Sequence, residues 1–143
     1  MFSNPGPDRI KALLERVRRI AVVGLSPKPH RDSNRIARYL LERGYTVIPV
    51  YPREDEILGQ RVHRRVQEIP GGVDLVDVFR RSEELRAVTE EALAAKAPAL
   101  WFQLDCVDET AAQRAQAEGV SVVMDRCIMV DHAALLGRSW KAT

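Results

Sequence analysis

Cysteine is scarce in this chain of 143 residues, which contains only Cys106 and Cys127. Their spacing matches neither a zinc site nor a CxxC redox pair, so we expect two reduced thiols and no metal. No apolar run approaches the roughly 20 residues that a transmembrane helix requires. The N-terminus has no basic segment followed by an apolar one, which argues against a signal peptide and favours a cytoplasmic protein.

A strong excess of one charge is also absent. The formal net charge is +2, with 29% charged and 45% hydrophobic residues. This composition is typical of a globular domain, and it gives no reason to expect nucleic acid or a membrane as a partner. The basic residues do form local clusters, but a basic cluster is usually a solvated face, so each one needs separate support.

Short apolar segments alternate with amphipathic segments of helical spacing along the whole chain. The alternation predicts one α/β domain over residues 1–143, Rossmann-like and doubly wound around a five-stranded parallel sheet. Precedent favours the strand order 3-2-1-4-5. The predicted strands cover residues 20–23, 46–50, 73–79, 99–102 and 120–124. The predicted helix caps or starts are Asp32 or Ser33, Ser82, Asp108 and Asp131.

The loop after the first strand, residues 24–34, is the first candidate binding element. In open parallel sheets a ligand binds beyond the carboxyl ends of the strands, where the strand order reverses. Gly24 permits a turn out of the strand, and a helix that begins near Ser33 directs free N–H groups at an anion. Lys28, Arg31 and Arg35 add positive charge, so the loop suits a phosphate group. Alternatively, these cations are only solvated, and Ser33 only caps the helix.

A conventional dinucleotide site is not present in this loop. The sequence reads GLSPKP where GxGxxG is needed, and Tyr51-Pro52 follows the second strand where an acidic residue would bind a ribose. Aromatic and polar residues end the next two strands as well. Phe79 could pack against an adenine, and Arg80 could reach a phosphate. Gln103, beside Trp101, could form a hydrogen bond with an amide. Alternatively, the aromatic residues at these strand ends belong to the core.

Six segments carry a family resemblance over nearly the whole chain. They are 20–29 (IAVVGLSPKP), Arg31 with Ser33-Asn34, Val50-Tyr51-Pro52, 74–80 (DLVDVFR), Trp101-Phe102-Gln103 and 123–127 (VMDRC). Together they resemble the stand-alone CoA-binding proteins, whose domain is similar to the CoA-binding domain of the succinyl-CoA ligase α subunit. Tyr51 departs from the family pattern, where asparagine is expected, and so does Asp105-Cys106, where glycine is usual.

The resemblance implies that coenzyme A is the cofactor. It implies that the first loop with Lys28 and Arg31 holds the CoA phosphates. Tyr51-Pro52 and Phe79-Arg80 would flank the nucleotide, and Trp101 and Gln103 would lie nearer the pantetheine arm. Combined with the analysis of the loop, the expected cofactor-binding residues are Gly24, Leu25, Ser26, Pro27, Lys28, Arg31, Ser33, Asn34, Arg35, Tyr51, Pro52, Phe79, Arg80, Trp101 and Gln103.

No residue is expected to be catalytic. His30, His63 and His132 lack an acidic partner at a spacing that suggests acid–base chemistry. Asp77 interrupts an apolar strand, and a buried carboxylate is costly unless it is paired, so we expect it to have a hydrogen-bonding partner.

The leading hypothesis is therefore a CoA or acyl-CoA binding module that acts as a carrier, sensor or regulator and could serve a protein partner. One alternative is an NAD(P)-dependent oxidoreductase. Another is a thiol-redox protein in which Cys106 exchanges with the CoA thiol.

Overall fold

Five parallel strands form a sheet with helices on both faces in the computed structural model, which describes residues 1–143. The confirmed fold class is therefore a doubly wound, Rossmann-like α/β domain. In chain order the elements are α1 (Pro7–Arg16), β1 (Arg19–Val23), α2 (Asp32–Glu42), β2 (Thr46–Val50), β3 (Glu56–Ile57), β4 (Gln60–Arg61), β5 (Leu75–Val78), α3 (Leu85–Ala94), β6 (Ala99–Phe102), α4 (Glu109–Ala117), β7 (Ser121–Met124) and α5 (Ile128–Leu135). Short 3-10 turns cover Val66–Glu68 and Ser82–Glu84.

Two hydrophobic layers enclose the sheet. Helices α1, α2 and α5 pack on one face, where Leu14, Leu40 and Ile128 are fully buried. Helices α3 and α4 pack on the other face through small and branched residues such as Val88 and Ala112. Because both faces are covered, the strands are almost continuously apolar, which is typical of parallel sheets. Every helix is too short or too polar to span a lipid bilayer.

The strand order differs from the predicted one. The sheet runs β2-β1-β5-β6-β7, and β3 and β4 form a separate antiparallel pair. Counted within the main sheet, the order is 2-1-3-4-5, so the predicted 3-2-1-4-5 is wrong. The outer side of β2 pairs only with the short segment at His63, which accepts from the Tyr51 N–H and donates to the Pro49 carbonyl. Pro49 has no N–H to donate on that side, and a proline at such a position is typical of an edge strand.

Some helix starts also differ from prediction. Asp108 does cap α4, since its carboxylate accepts from the Ala111 N–H at 3.0 Å. Ser82 instead opens a 3-10 turn, because its hydroxyl bonds the loop after β6 at the backbone of Asp105 and Val107. Asp131 lies inside α5 and pairs with Arg126 at 2.7 Å.

The start of α2 carries no side-chain cap, contrary to the prediction for Asp32 or Ser33. The extended residue before the helix is Arg31, and Asp32 is the first helical residue. The first N–H groups of this helix are therefore free of capping by the protein's own side chains.

Candidate functional site

The candidate site lies where the chain switches sides of the sheet. After β1 the chain enters α2 on one face, and after β5 it enters α3 on the other, so the switch point of the sheet falls between the carboxyl ends of these neighbouring strands. The switch point is where a ligand crevice forms in such sheets, and we call this edge of the sheet the crevice. Gly24 lies at this point with φ +84°, and a Cβ atom there would overlap the carbonyl oxygen of Phe79. Glycine thus lets the β1–α2 loop lie directly against the end of β5.

Hydrogen bonds within the β1–α2 loop fix its shape. The Ser26 N–H donates to Ser33 Oγ at 3.0 Å, and the Lys28 N–H donates to Ser26 Oγ at 3.1 Å. The Asn34 amide donates to the Ser26 carbonyl at 2.9 Å. Ser33 and Asn34 are buried, and Leu25 is fully buried in the core. Ser33 and Asn34 therefore hold the loop by hydrogen bonds, and Leu25 anchors it in the core. Pro27, in the same loop, is half-buried.

Arg38 is a further residue that braces this loop, and it was not among the predicted site residues. Its guanidinium donates to Asn34 Oδ1 at 3.0 Å and to the Pro29 carbonyl at 2.8 Å. It therefore ties the second turn of α2 to the middle of the loop. A sequence pattern does not reveal such a bond to a backbone carbonyl, because it depends on the folded path of the loop.

The positive charge at the loop is only partly neutralised. Arg35 pairs with Asp32 at 2.9 Å. Lys28 and Arg31 are exposed, and neither forms an ion pair within the chain. These two cations lie beside the uncapped start of α2, whose N–H groups and dipole also favour an anion. The arrangement can bind a phosphate through several donors at once.

The ends of β2 and β5 bring further predicted residues to the crevice rim. Tyr51 is half-buried and Pro52 exposed, and the turn they begin is held by Arg64. One Arg64 nitrogen lies 3.2 Å from the Tyr51 carbonyl and 2.7 Å from the Glu54 carbonyl. Arg64 is thus a second positioning residue that the site prediction omitted.

Phe79 and Arg80 follow β5 directly. The Phe79 N–H donates to the Val23 carbonyl at 2.8 Å, which places this residue beside the end of β1. Both side chains are half-buried. Arg80 lies 3.9 Å from a Glu84 carboxylate oxygen, an ion pair at the edge of contact distance that leaves the guanidinium accessible.

The structure does not bring Trp101 into the crevice. Its ring is fully buried between the sheet and the helices, and its indole N–H donates to the Arg126 carbonyl at 2.8 Å. Gln103 is also buried, and both ends of its amide bond within the protein, to Asp77 and to the Ile128 N–H. Contacts of these two residues with a ligand stay predictions; in the structure they bond to the segment after β7 at Arg126 and Ile128.

The expected partner of Asp77 is confirmed as Gln103, whose amide donates to one carboxylate oxygen. The other oxygen, Oδ2, is buried and has no hydrogen-bonding partner. Burial raises the pKa of the Asp77 carboxyl to about 7, although the hydrogen bond from Gln103 lowers it. A proton on this carboxyl removes most of the cost of placing it in the core.

Cys106 does not have the environment of a reactive thiol. It is buried, and its Sγ donates to the Arg80 carbonyl at 3.0 Å. Burial raises the pKa of the Cys106 thiol, although the hydrogen bond to Arg80 acts in the opposite direction. A nucleophilic cysteine requires a lowered pKa and access to its partner. The thiol-redox alternative therefore finds no support.

These features define an α/β domain with a braced, cationic loop at the switch point of its sheet. Residues 18–133 match the family described as CoA binding domain. The chain belongs to this family, and the resemblance predicted from the sequence is confirmed. Neither the comparisons nor the site supports the NAD(P)-dependent alternative.

Known proteins resemble the chain over most of its length. It is 46% identical over 132 residues to an uncharacterized protein of Bacillus subtilis, YneT, which covers 92% of this chain and 98% of that one. A hypothetical protein from Pyrococcus horikoshii superposes with a TM-score of 0.91 at 36% identity, covering 96% of this chain and 99% of that one.

A larger enzyme also shares the fold. The dinucleotide-forming acetyl-coenzyme A synthetase 1 of Ca. Korarchaeum cryptofilum superposes with a TM-score of 0.70 at 25% identity. The match covers 78% of this chain but only 27% of the synthetase. The shared part is therefore one region of a much longer enzyme.

Proposed function

We propose that this protein binds coenzyme A or acyl-CoA at the β1–α2 loop, as a module without catalytic residues of its own. The observation that carries the proposal is the pairing of an uncapped α2 start with two exposed cations, Lys28 and Arg31, that have no ion-pair partner. Membership of the CoA binding domain family supports the same ligand. Carrier, sensor or regulator are the roles open to such a module.

The negative charge of coenzyme A complements the positive charge of the β1–α2 loop. Coenzyme A carries a 3′-phosphate in addition to its pyrophosphate, so it can use more than one cation. Charge-assisted hydrogen bonds from lysine and arginine to phosphate are among the strongest hydrogen bonds in proteins. Helix N–H groups add a favourable interaction of roughly 0.3–1 kcal/mol with an anion.

The remaining rim residues suit the nucleotide part of the ligand. Phe79 and Tyr51 present half-buried aromatic rings on either side of the β1–α2 loop, at the ends of β5 and β2. Arg80 lies next to Phe79 and can reach a phosphate. Pro52 completes the rim beyond Tyr51. The pantetheine arm then extends toward the end of β6, above the Gln103–Asp77 pair.

The likeness to one region of the synthetase does not carry that enzyme's activity over to this chain. This chain spans 27% of the synthetase, and its histidines offer no acid–base pair. His132 is fully buried, and its Nδ1 bonds the Tyr39 hydroxyl at 2.8 Å. His30 is exposed in the β1–α2 loop, where it can contact a phosphate. A non-catalytic binding module accounts for these features.

Thermal unfolding with CoA, acetyl-CoA, NAD or NADP at equal concentration tests the proposal. A ligand at 100 times its dissociation constant stabilises the fold by about 2.7 kcal/mol, which raises Tm by several degrees in a domain of this size. We expect this shift with CoA and acetyl-CoA. We expect Lys28→Ala and Arg31→Ala to reduce it, because each removes a phosphate contact.

The matched control is Lys11→Ala, which removes an exposed lysine that pairs with Glu15 on α1, outside the crevice. This variant should keep the full shift. A shift with NAD or NADP but not with CoA would contradict the proposal. Equal losses in the Lys11 and Lys28 variants would show that Lys28 does not contact the ligand.

A further inference from the structure

Exposed large apolar side chains are rare in this protein and unevenly placed. Only four are present, namely Met1, Leu104, Val107 and Val130. Leu104 is 59% exposed and Val130 is 58% exposed. Three of the four follow the carboxyl ends of β6 and β7, on the crevice side of the sheet. We call Leu104, Val107 and Val130 the apolar rim.

Hydrogen bonds join the two loops that carry the apolar rim. Asp125, after β7, accepts the Asp105 N–H at 2.8 Å. Gln103, at the end of β6, accepts the N–H of Ile128 at the start of α5 at 3.3 Å. The loops after β6 and β7 therefore form one continuous surface above these strands.

The start of α5, which carries Val130, lies against the phosphate end of the crevice, the end formed by the β1–α2 loop. The first turn of α5 contacts the first turn of α2, since Met129 Sδ lies 3.9 Å from an Arg35 nitrogen. Across the sheet, β1 and β6 are separated by two strand spacings, about 10 Å. An extended pantetheine arm is longer than this span. A CoA molecule held by its phosphates at the β1–α2 loop can therefore place its sulfur at the apolar rim.

We propose that the apolar rim binds the acyl group of acyl-CoA and selects uncharged aliphatic acyl groups over dicarboxylic ones. This inference rests on the proposed binding of CoA and names the ligand class more closely. The apolar side chains account for the first preference, because apolar surface gains stability when it leaves water. Asp105 and Asp125 account for the second, since their exposed carboxylates lie within the same loops and repel an acyl carboxylate.

Calorimetric titration with CoA, butyryl-CoA and succinyl-CoA tests this proposal. Butyryl and succinyl groups both have a four-carbon chain, so they differ mainly in the terminal carboxylate. We expect butyryl-CoA to bind about fivefold tighter than CoA, because each buried methylene contributes up to about a fourfold gain. Succinyl-CoA should bind at least fivefold more weakly than butyryl-CoA.

The double variant Leu104→Ser/Val130→Ser locates the effect. It should lose the preference for butyryl-CoA, to within twofold, and keep the affinity for CoA, because both side chains are exposed and contribute little to the core. Ala117→Ser, an exposed substitution at the far end of α4, is the control and should leave all three affinities unchanged.

The failures of the two proposals are distinguishable. If CoA binds but butyryl-CoA binds no tighter, the apolar rim has another role and this inference is overturned, while CoA binding stands. A preference for butyryl-CoA that persists in the double variant also overturns it. Absence of binding by all three ligands would overturn the proposed function itself.

Discussion

The two ends of the crevice use their polar side chains in opposite ways. At the phosphate end, after β1, the buried side chains of Ser33 and Asn34 bond to the loop backbone, and the exposed side chains are cations. At the far end, after β6, Asp77 and Gln103 bond to each other in the core, and the apolar rim is exposed.

The difference indicates a division of tasks. A backbone loop held rigid by its own side chains has little conformational entropy to lose when an anion binds, so charge there contributes directly to affinity. At the proposed acyl site, the apolar rim and the exposed carboxylates of Asp105 and Asp125 respond instead to the apolar character and charge of the acyl group. The two proposals thus assign affinity to the β1–α2 end and discrimination to the β6–β7 end.

The largest effect is expected at the phosphate end, from Gly24→Ala. The new methyl group overlaps the Phe79 carbonyl and occupies a backbone conformation with positive φ, so we expect a loss of about 3 kcal/mol in unfolding free energy. The shifted loop should also lose CoA binding. Urea unfolding and calorimetric titration measure both effects.

Gly59→Ala is the matched control for this substitution. Gly59 also has positive φ, at +74°, but no atom lies within 4 Å of the position of a Cβ. The control should therefore cost only about 1 kcal/mol and leave binding intact. Equal costs for the two variants would contradict the close approach of the β1–α2 loop to β5.

An effect of similar size on stability, which appears only as the pH changes, is expected at the other end from Asp77→Asn. Burial raises the pKa of the Asp77 carboxyl in the folded protein to about 7, from its ordinary value of 3.8. The favourable contribution of the neutral carboxyl is complete below pH 4 and is lost as the pH rises toward 7. Relative to the Asn variant, the wild type should lose on the order of 3 kcal/mol between pH 4 and pH 8.

The comparison with the variant also removes an opposing contribution from His132. Burial, together with the nearby Arg43 charge, lowers the pKa of His132 to about 4, so its contribution to stability grows as the pH rises from 4 to 6.5. This contribution is common to both proteins and cancels in the difference. Urea unfolding at several pH values gives the measurement. A difference that does not change with pH would show that Asp77 is ionised throughout and that its environment is polar.

Much of the fold was predictable because its signals are local. Apolar runs located all five strands of the main sheet, and the strands at 46–50 and 99–102 have the predicted bounds. The strand order depends on long-range pairing, which periodicity does not report. One local signal was available, since the proline at position 49 disfavours a strand on the outer side of β2.

The site was predictable to the extent that topology fixes it. Strand ends must meet at one edge, so the loops after β1, β2 and β5 were correctly placed together. The direction in which each side chain points was harder to predict from the sequence. All four residues of β6 are apolar and buried, so no alternation along the strand indicates that Trp101 faces the core. The bracing contacts of Arg38 and Arg64 end on backbone carbonyls, and no spacing rule anticipates such bonds.

Titration of the isotope-labelled protein with CoA, followed by the backbone amide signals in nuclear magnetic resonance, tests the central claim most directly. We predict that the largest shifts fall on residues 24–34, at the β1–α2 loop and the start of α2, with smaller shifts at Phe79 and Arg80. Shifts confined to another part of the surface, such as the groove between α1 and β7 that Arg9, Arg16 and Val122 line, would contradict the account. So would the absence of any shift at saturating CoA.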